Sequence, residues 1–224
     1  MNLPLTPRPI AWLSAALCAA VLTLAPYSGG FGVATPAQAQ DAGARAELTK
    51  RIEKYLNSIE TLRARFLQIG PAGEVARGTV LISRPGKLRI EYDPPSPVLI
   101  LTQGSYLMLY DKELDSRSYA SLSDTLAGFL VRPEIRLSGD IEVRDLHRSK
   151  GVIRVTLVKA DSPDSGRLTL VFSDDPLRLR QWVVVDEQGG ETRVALEDPQ
   201  FNIKLDRDAF EYTFPEPDEP FGEQ

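Results

Sequence analysis

Residues 78–111 read GTVLISRPGKLRIEYDPPSPVLILTQGSYLMLYD, and this stretch decides the fold. Thr79-Val80-Leu81-Ile82, Leu88-Arg89-Ile90-Glu91-Tyr92 and Val98-Leu99-Ile100-Leu101 are short runs rich in β-branched and large apolar residues. Their length, and the stiff Arg84-Pro85-Gly86 and Pro94-Pro95-Ser96-Pro97 corners between them, predict successive β-strands. Large side chains fall on one or both faces, so an unusually large share of the sheet has to be covered. The cover is either an ordinary core or a bound apolar ligand, and the stretch reads as a wall with almost no polar chemistry.

Upstream of the wall, Leu48, Ile52, Tyr55, Leu56, Ile59 and Leu62 recur at helical spacing while Lys50, Arg51, Glu53 and Lys54 face outward. This predicts one amphipathic helix that packs on the sheet. The period then changes to two at Arg63–Ile69, and Gly70-Pro71-Ala72-Gly73 ends a first strand. Downstream, strands are predicted at 106–110, 117–120, 141–147, 152–159, 167–173, 179–186 and 192–198. One segment among them is different. Ser121, Ser123 and Asp124 are N-cap residues, Leu122, Leu126, Phe129 and Leu130 share a helical face, and Arg132-Pro133 stops the run. Roughly ten strands in sequence-adjacent hairpins, with a helix before them and a small helix inserted, predict an α+β, mainly β fold. A single curved antiparallel sheet encloses the helices.

Arg8, an uncharged run from Ile10 to Leu24 and a small-x-small Ala37-Gln38-Ala39 site have the form of a signal peptide, residues 1–39, cleaved after Ala39. No Arg-Arg pair is present, which points to the general secretory route and an exported, periplasmic protein. The only cysteine, Cys18, leaves with this segment. The remaining 185 residues suffice for one domain, expected over 40–215, and carry 25 basic against 31 acidic residues, or −6. Such a balance gives no footprint for nucleic acid. Residues 216–224 form an acidic, proline-containing tail expected to be disordered.

Catalytic and metal-binding patterns are absent from the sequence. His147 is the only histidine, in a strand-like segment, and reads as a surface residue. Asp174-Asp175-Pro176 is a carboxylate pair that reads as turn chemistry. No nucleophile elbow, zinc spacing or phosphate loop occurs, so neither an enzyme nor a cofactor is expected.

The ordered set of an N-terminal amphipathic helix, Phe66-x-Gln68, Gly78, Arg84-Pro85-Gly86-Lys87-Leu88-Arg89-Ile90-Glu91-Tyr92, Pro95 and Gly104 to Tyr110-Asp111 resembles the periplasmic lipoprotein carrier family, LolA. The resemblance implies an incomplete antiparallel β-barrel closed by a lid of short helices. Its hollow would receive the acyl chains of lipoproteins. It also implies an inner-membrane ABC-type release complex and an outer-membrane receptor as partners, with a monomeric carrier between them. By the same resemblance Arg84 takes part in lid closure, its five donors reaching carbonyls of the lid; the bland alternative is an edge arginine near a turn. Leu122, Leu126, Phe129 and Leu130 are the lid-helix candidates, and Phe66, Leu81, Leu88, Ile90, Leu99, Leu101, Met108 and Trp182 the candidates for the acyl-chain cavity. Family members commonly carry aromatic residues at the positions of Leu81, Leu88, Ile90 and Met108, which implies a more aliphatic cavity here. A carrier or sensor of another lipid, such as a glycolipid, and an exported hydrolase remain alternatives.

Overall fold

The computed structural model describes the backbone of residues 36–213, with side chains from residue 41 onward except those of Asp124, Leu126 and Ala127. The expected signal peptide lies outside the described residues, apart from backbone at 36–39, and so does the expected tail.

Helix α1 spans Pro36–Asn57. Eleven strands are described: β1 (Thr61–Ile69), β2 (Val75–Ser83), β3 (Lys87–Tyr92), β4 (Val98–Gln103), β5 (Tyr106–Asp111), β6 (Ser116–Ser121), β7 (Ile141–Ser149), β8 (Val152–Lys159), β9 (Arg167–Ser173), β10 (Arg178–Val185) and β11 (Glu191–Phe201). They form one sheet in the order β6-β5-β4-β3-β2-β1-β11-β10-β9-β8-β7. Every neighbouring pair is antiparallel, and apart from β1 against β11 each is a sequence-adjacent hairpin. The sheet is curved and unclosed, a half-barrel whose free edges are β6 and β7. The chain crosses between those edges through a 3₁₀ turn, Leu122–Asp124, and helix α2, Leu126–Val131.

Because side chains alternate along a strand, one face of the sheet carries the main core. Leu62, Ala64 and Phe66 of β1, Val80 and Ile82 of β2, Leu88 of β3, Ile153, Val155 and Leu157 of β8 and Trp182 of β10 are buried there with Ile52 and Leu56 of α1 and Phe129, Leu130 and Val131 of α2. We call this helix-bearing side the inner face. The predicted amphipathic helix is present but ends at Asn57, five residues before Leu62. The chain reverses at once, the Ser58 amide donating to the Lys54 carbonyl at 3.0 Å and the Ile59 amide to that of Leu56 at 3.3 Å. Ile59 and Leu62 still reach the inner core, from the turn and from β1, which is why they fitted a helical pattern.

The inserted helix is likewise two pieces. Thr125 breaks it, its hydroxyl accepting from the Gly128 amide at 3.2 Å to cap α2 and donating to the Leu122 carbonyl at 2.9 Å. Gly128 permits the fold-back, since a Cβ there would stand 1.7 Å from the Leu122 oxygen. The cap of α2 is therefore Thr125, while Ser121 stands at the N-cap position of the 3₁₀ turn without a side-chain cap bond.

Phe66, Gln68, Gly78 and Tyr92 form one contact unit across β1, β2 and β3. Gly78 pairs with both Phe66 and Tyr92, and the two rings meet edge to face at 5.3 Å. A Cβ on Gly78 would lie 2.6 Å from the Phe66 ring and 2.2 Å from the Glu91 carbonyl oxygen, so the ring occupies the space that glycine leaves. The Tyr92 hydroxyl donates to Gln68 Oε1 at 2.8 Å.

Candidate functional site

Arg84 follows the last residue of β2, where the chain turns into the Pro85-Gly86 corner. Its guanidinium reaches two helix ends at once. Nη1 donates to the carbonyls of Leu56 at 2.6 Å and Ile59 at 3.1 Å, and Nη2 to Asn57 Oδ1 at 3.2 Å. Nε donates to the Arg132 carbonyl at 2.8 Å and Nη2 to that of Pro133 at 3.3 Å. The last carbonyls of a helix lack intrahelical partners and mark its negative pole, so a fork of fixed cationic donors suits both ends. All five of these acceptors are neutral carbonyl or amide oxygens. Burial pushes its pKa below the ordinary arginine value. The Gly86 amide adds a backbone bond to the Val131 carbonyl at 2.8 Å, so α2 is docked on the same corner by main chain as well.

Asn57 and Glu53 extend this joint in a way the sequence reading missed. The Asn57 amide accepts from the Ile135 N–H at 2.9 Å and donates to the Ile135 carbonyl at 2.8 Å, and Glu53 Oε1 accepts from the Leu137 amide at 2.6 Å. The segment after α2 is thereby sewn to α1, with Ile135 and Leu137 buried. The alternation of Ile135 and Leu137 with Glu134 and Arg136 was the available signal.

Beside the clamp lies a hollow of about 550 Å³. Phe129, Ile141, Leu157, Leu168 and Val184 supply its apolar lining, and Ser123, Thr125, Arg132, Asp140, Lys159 and Arg167 are among its polar wall. Its size is within the range of pockets that hold small apolar ligands. Below Arg84, only about 20 Å³ is left between Leu56, Ile59, Leu62, Ile82, Leu130, Ile135, Leu179 and Trp182, so that region is close-packed.

The sequence-predicted cavity residues divide by face. Phe66, Leu88, Ile90 and Trp182 are on the inner face, in or against the main core, but outside the lining of the larger hollow. Leu81, Leu99, Leu101 and Met108 correct the expectation: they lie on the outer face. Leu81 and Leu101 both pair with Arg89, and Leu101 with Met108. Leu99, Leu101, Met108 and Tyr110 form a second small cluster with Tyr212 against it. The physical reason is the period of two, for a strand apolar on both faces does not reveal which face is in. Arg89 tethers the chain beyond β11 over that outer cluster through the Ala209 and Glu211 carbonyls at 3.4 and 3.1 Å. The inner-face residues of β4 and β5 include Ile100, Leu107 and Leu109, the last 40 % exposed. Of the lid candidates, Phe129 and Leu130 are buried and Leu122 is half-buried against the core, while the Leu126 side chain lies outside the described residues.

The Asp174 side chain is 12 % exposed, and its carboxylate is held from both sides, by Arg51 Nη1 at 2.8 Å and Arg148 Nε at 2.7 Å. These bonds, that from Arg148 foremost, hold its pKa below the usual carboxylate range. It ties α1 to the β9–β10 turn and β7. His147 is exposed on edge strand β7, opposite Arg154. Arg65 pairs with Asp93 and Arg89 with Glu91. Among the described residues no group of three His, Cys, Asp or Glu side chains stands together as a metal site.

A family model described as outer membrane lipoprotein carrier protein LolA matches residues 57–213. The chain belongs to this family. The LolA match begins at the last residue of α1 and takes in every described strand, Arg84 and α2. An outer-membrane lipoprotein carrier protein of Azotobacter vinelandii is 27 % identical over 194 residues, covering 81 % of this chain and 89 % of the relative. One of the same description from Legionella pneumophila is 28 % identical over 172 residues, covering 73 % and 84 %. Among solved structures, an uncharacterised conserved protein of Thermus thermophilus overlaps at a TM-score of 0.47 with 15 % identity, covering 76 % of this chain and 94 % of that one.

Proposed function

We propose that this protein is a periplasmic carrier that takes the acyl chains of lipoproteins into the inner hollow of the half-barrel and conveys them from the inner to the outer membrane. The observation that carries the reading is the Arg84 joint: a single guanidinium fastens α1 and the end of α2 to the sheet corner, beside an apolar hollow. α2 acts as the lid. Burying an acyl chain of about fifteen carbons gains on the order of 12 kcal/mol. Uncovering Phe129, Leu130 and Val131 to admit it costs roughly 5–9 kcal/mol at about 1.5–3 kcal/mol each. The difference leaves a complex that can be emptied again, which a carrier requires. The names of the relatives support lipoprotein cargo, and the chain has no nucleotide-binding motif, so an inner-membrane ABC-type release complex drives loading and an outer-membrane receptor or the membrane itself takes delivery.

Native mass spectrometry after incubation with inner-membrane vesicles and ATP tests this. A bound acylated polypeptide supports the reading. Bound lipid without polypeptide replaces it with a carrier of free lipid, and a protein that leaves the vesicles empty refutes it.

A further inference from the structure

Arg132 ends α2 and, at the level of sequence, merely stops a helix. The structure gives it three simultaneous engagements. Its carbonyl accepts from Arg84 Nε at 2.8 Å. Its guanidinium sits 5.7 Å from the centre of the Phe129 ring. The same guanidinium makes a two-pronged pair with Asp140, just before β7, Nη1 to Oδ1 at 3.2 Å and Nη2 to Oδ2 at 2.7 Å. Arg132 and Asp140 both line the hollow, and their pair joins the lid to the far edge of the sheet.

The two partners are unequally placed. The Arg132 side chain is 26 % exposed and the Asp140 side chain 66 %. An arginine resting on an apolar ring at the wall of an apolar hollow is an expensive group to leave without acceptors once the lid moves. Asp140 is in water and loses little when the pair parts. The other charged groups of the wall are Lys159, Asp161, Arg167 and Asp186. Asp161 accepts from the Ser162 hydroxyl, and Asp186 is occupied by the Gln188 and Gly190 amides of its own turn.

We propose that Arg132 is a specificity residue for cargo: its fork exchanges Asp140 for the ester and amide carbonyl oxygens at the neck of an acylated ligand. Asp140 is the stand-in acceptor of the empty state. The ligand class read this way is the acyl ester or amide, as distinct from any chain of equal length and hydrophobicity. This rests on the carrier reading, and it adds a polar contact to what would otherwise be burial alone. Two carbonyl oxygens, spaced as on neighbouring acyl groups, suit a two-pronged donor.

The test uses two probes of equal chain length, a diacylglycerol and its dialkyl ether counterpart, which lacks the carbonyls, titrated by displacement of a neutral fluorescent apolar dye. The intact protein is expected to prefer the ester by about tenfold, the worth of one partly desolvated charged hydrogen bond. Arg132→Met should bind both probes alike. Asp140→Asn, a change at an exposed carboxylate that keeps the test alive if Arg132→Met fails to fold, should tighten the ester two- to fivefold by removing the competitor and leave the ether unmoved. Equal binding of ester and ether by the intact protein, or an ester preference that survives Arg132→Met, overturns the proposal while leaving the carrier reading standing. Failure of both probes to bind the intact protein removes the carrier reading together with it.

Discussion

Replacing Arg84 with leucine removes five donor contacts, of which two, to the carbonyls of Arg132 and Pro133, hold the end of α2, the proposed lid, and three hold the end of α1. Hydrogen bonds from a charged donor are worth roughly 1.5–3 kcal/mol each, and the half-exposed site lets water satisfy part of what is lost. We take about 2–3 kcal/mol as the loss on the lid side. The strands, the core beneath and the Gly86–Val131 backbone bond do not depend on the guanidinium, so the fold should persist. The open fraction of the empty protein then rises by roughly 30- to 150-fold. Apparent cargo affinity is the intrinsic affinity scaled by the competent fraction, so it rises by the same factor until the open state dominates. Arg84→Leu should therefore load readily and unload poorly. The assay is a two-stage transfer: loading from inner-membrane vesicles with ATP, then delivery to outer-membrane vesicles, with dye affinity measured in parallel. Unchanged dye affinity together with normal delivery would refute the clamp, as would a loss of loading in a variant whose melting temperature is unaltered.

Three further outcomes are expected. Phe129→Asp puts a charge into the lining of the hollow and should weaken apolar-dye binding at least tenfold with little change in strand content by circular dichroism; unaltered binding would show that α2 is not the lid. Gly78→Ala forces a Cβ into the Phe66 ring and the Glu91 carbonyl, an overpacking cost of about 1–3 kcal/mol at roughly 2–4 °C of melting temperature per kcal/mol. A neutral result in a thermal melt would mean that β2 and β3 shift freely where Gly78 faces Tyr92. Asp174 has a folded pKa below its unfolded value of about 3.9, so its pairing with Arg148 and Arg51 stabilises the protein above about pH 4 and is lost as the pH falls through the folded pKa. Asp174→Asn should lower the urea midpoint at pH 7 and flatten its decline below pH 4, and a variant that declines as steeply as the parent would separate this pair from acid sensitivity.

Some of the site was legible without coordinates. Arg84 stood out because its Arg-Pro-Gly corner is part of the ordered set that resembles the carrier family, and the resemblance implied an arginine there whose donors reach carbonyls. The helical insertion stood out because a helical period interrupts a run of strands. Asn57, Glu53, Ile135 and Leu137 did not stand out. Their pairing joins positions about eighty residues apart, and neither partner is unusual in its own neighbourhood. Arg132 was hidden for a similar reason, since its carbonyl and its side chain serve two partners, Arg84 and Asp140, that only the folded sheet brings to the same segment.

By itself the sequence determined the antiparallel, mainly β architecture, the amphipathic helix ahead of it and the helical insertion before Pro133. These follow from local period, from proline and glycine corners and from caps, all of which act over a few residues. Tertiary structure alone decided which face of β4 and β5 looks inward. In Val98–Leu101 both faces are apolar, and a slip of one residue exchanges them without any local cost. Registration through β3 to β2, together with the chain beyond β11 lying across the outer side, fixes Leu99, Leu101 and Met108 outward and Ile100 and Leu107 inward. The hollow is likewise a property of the whole sheet: its walls come from α2 and from strands β7 to β10, and it exists because the half-barrel curves and stays open between β6 and β7.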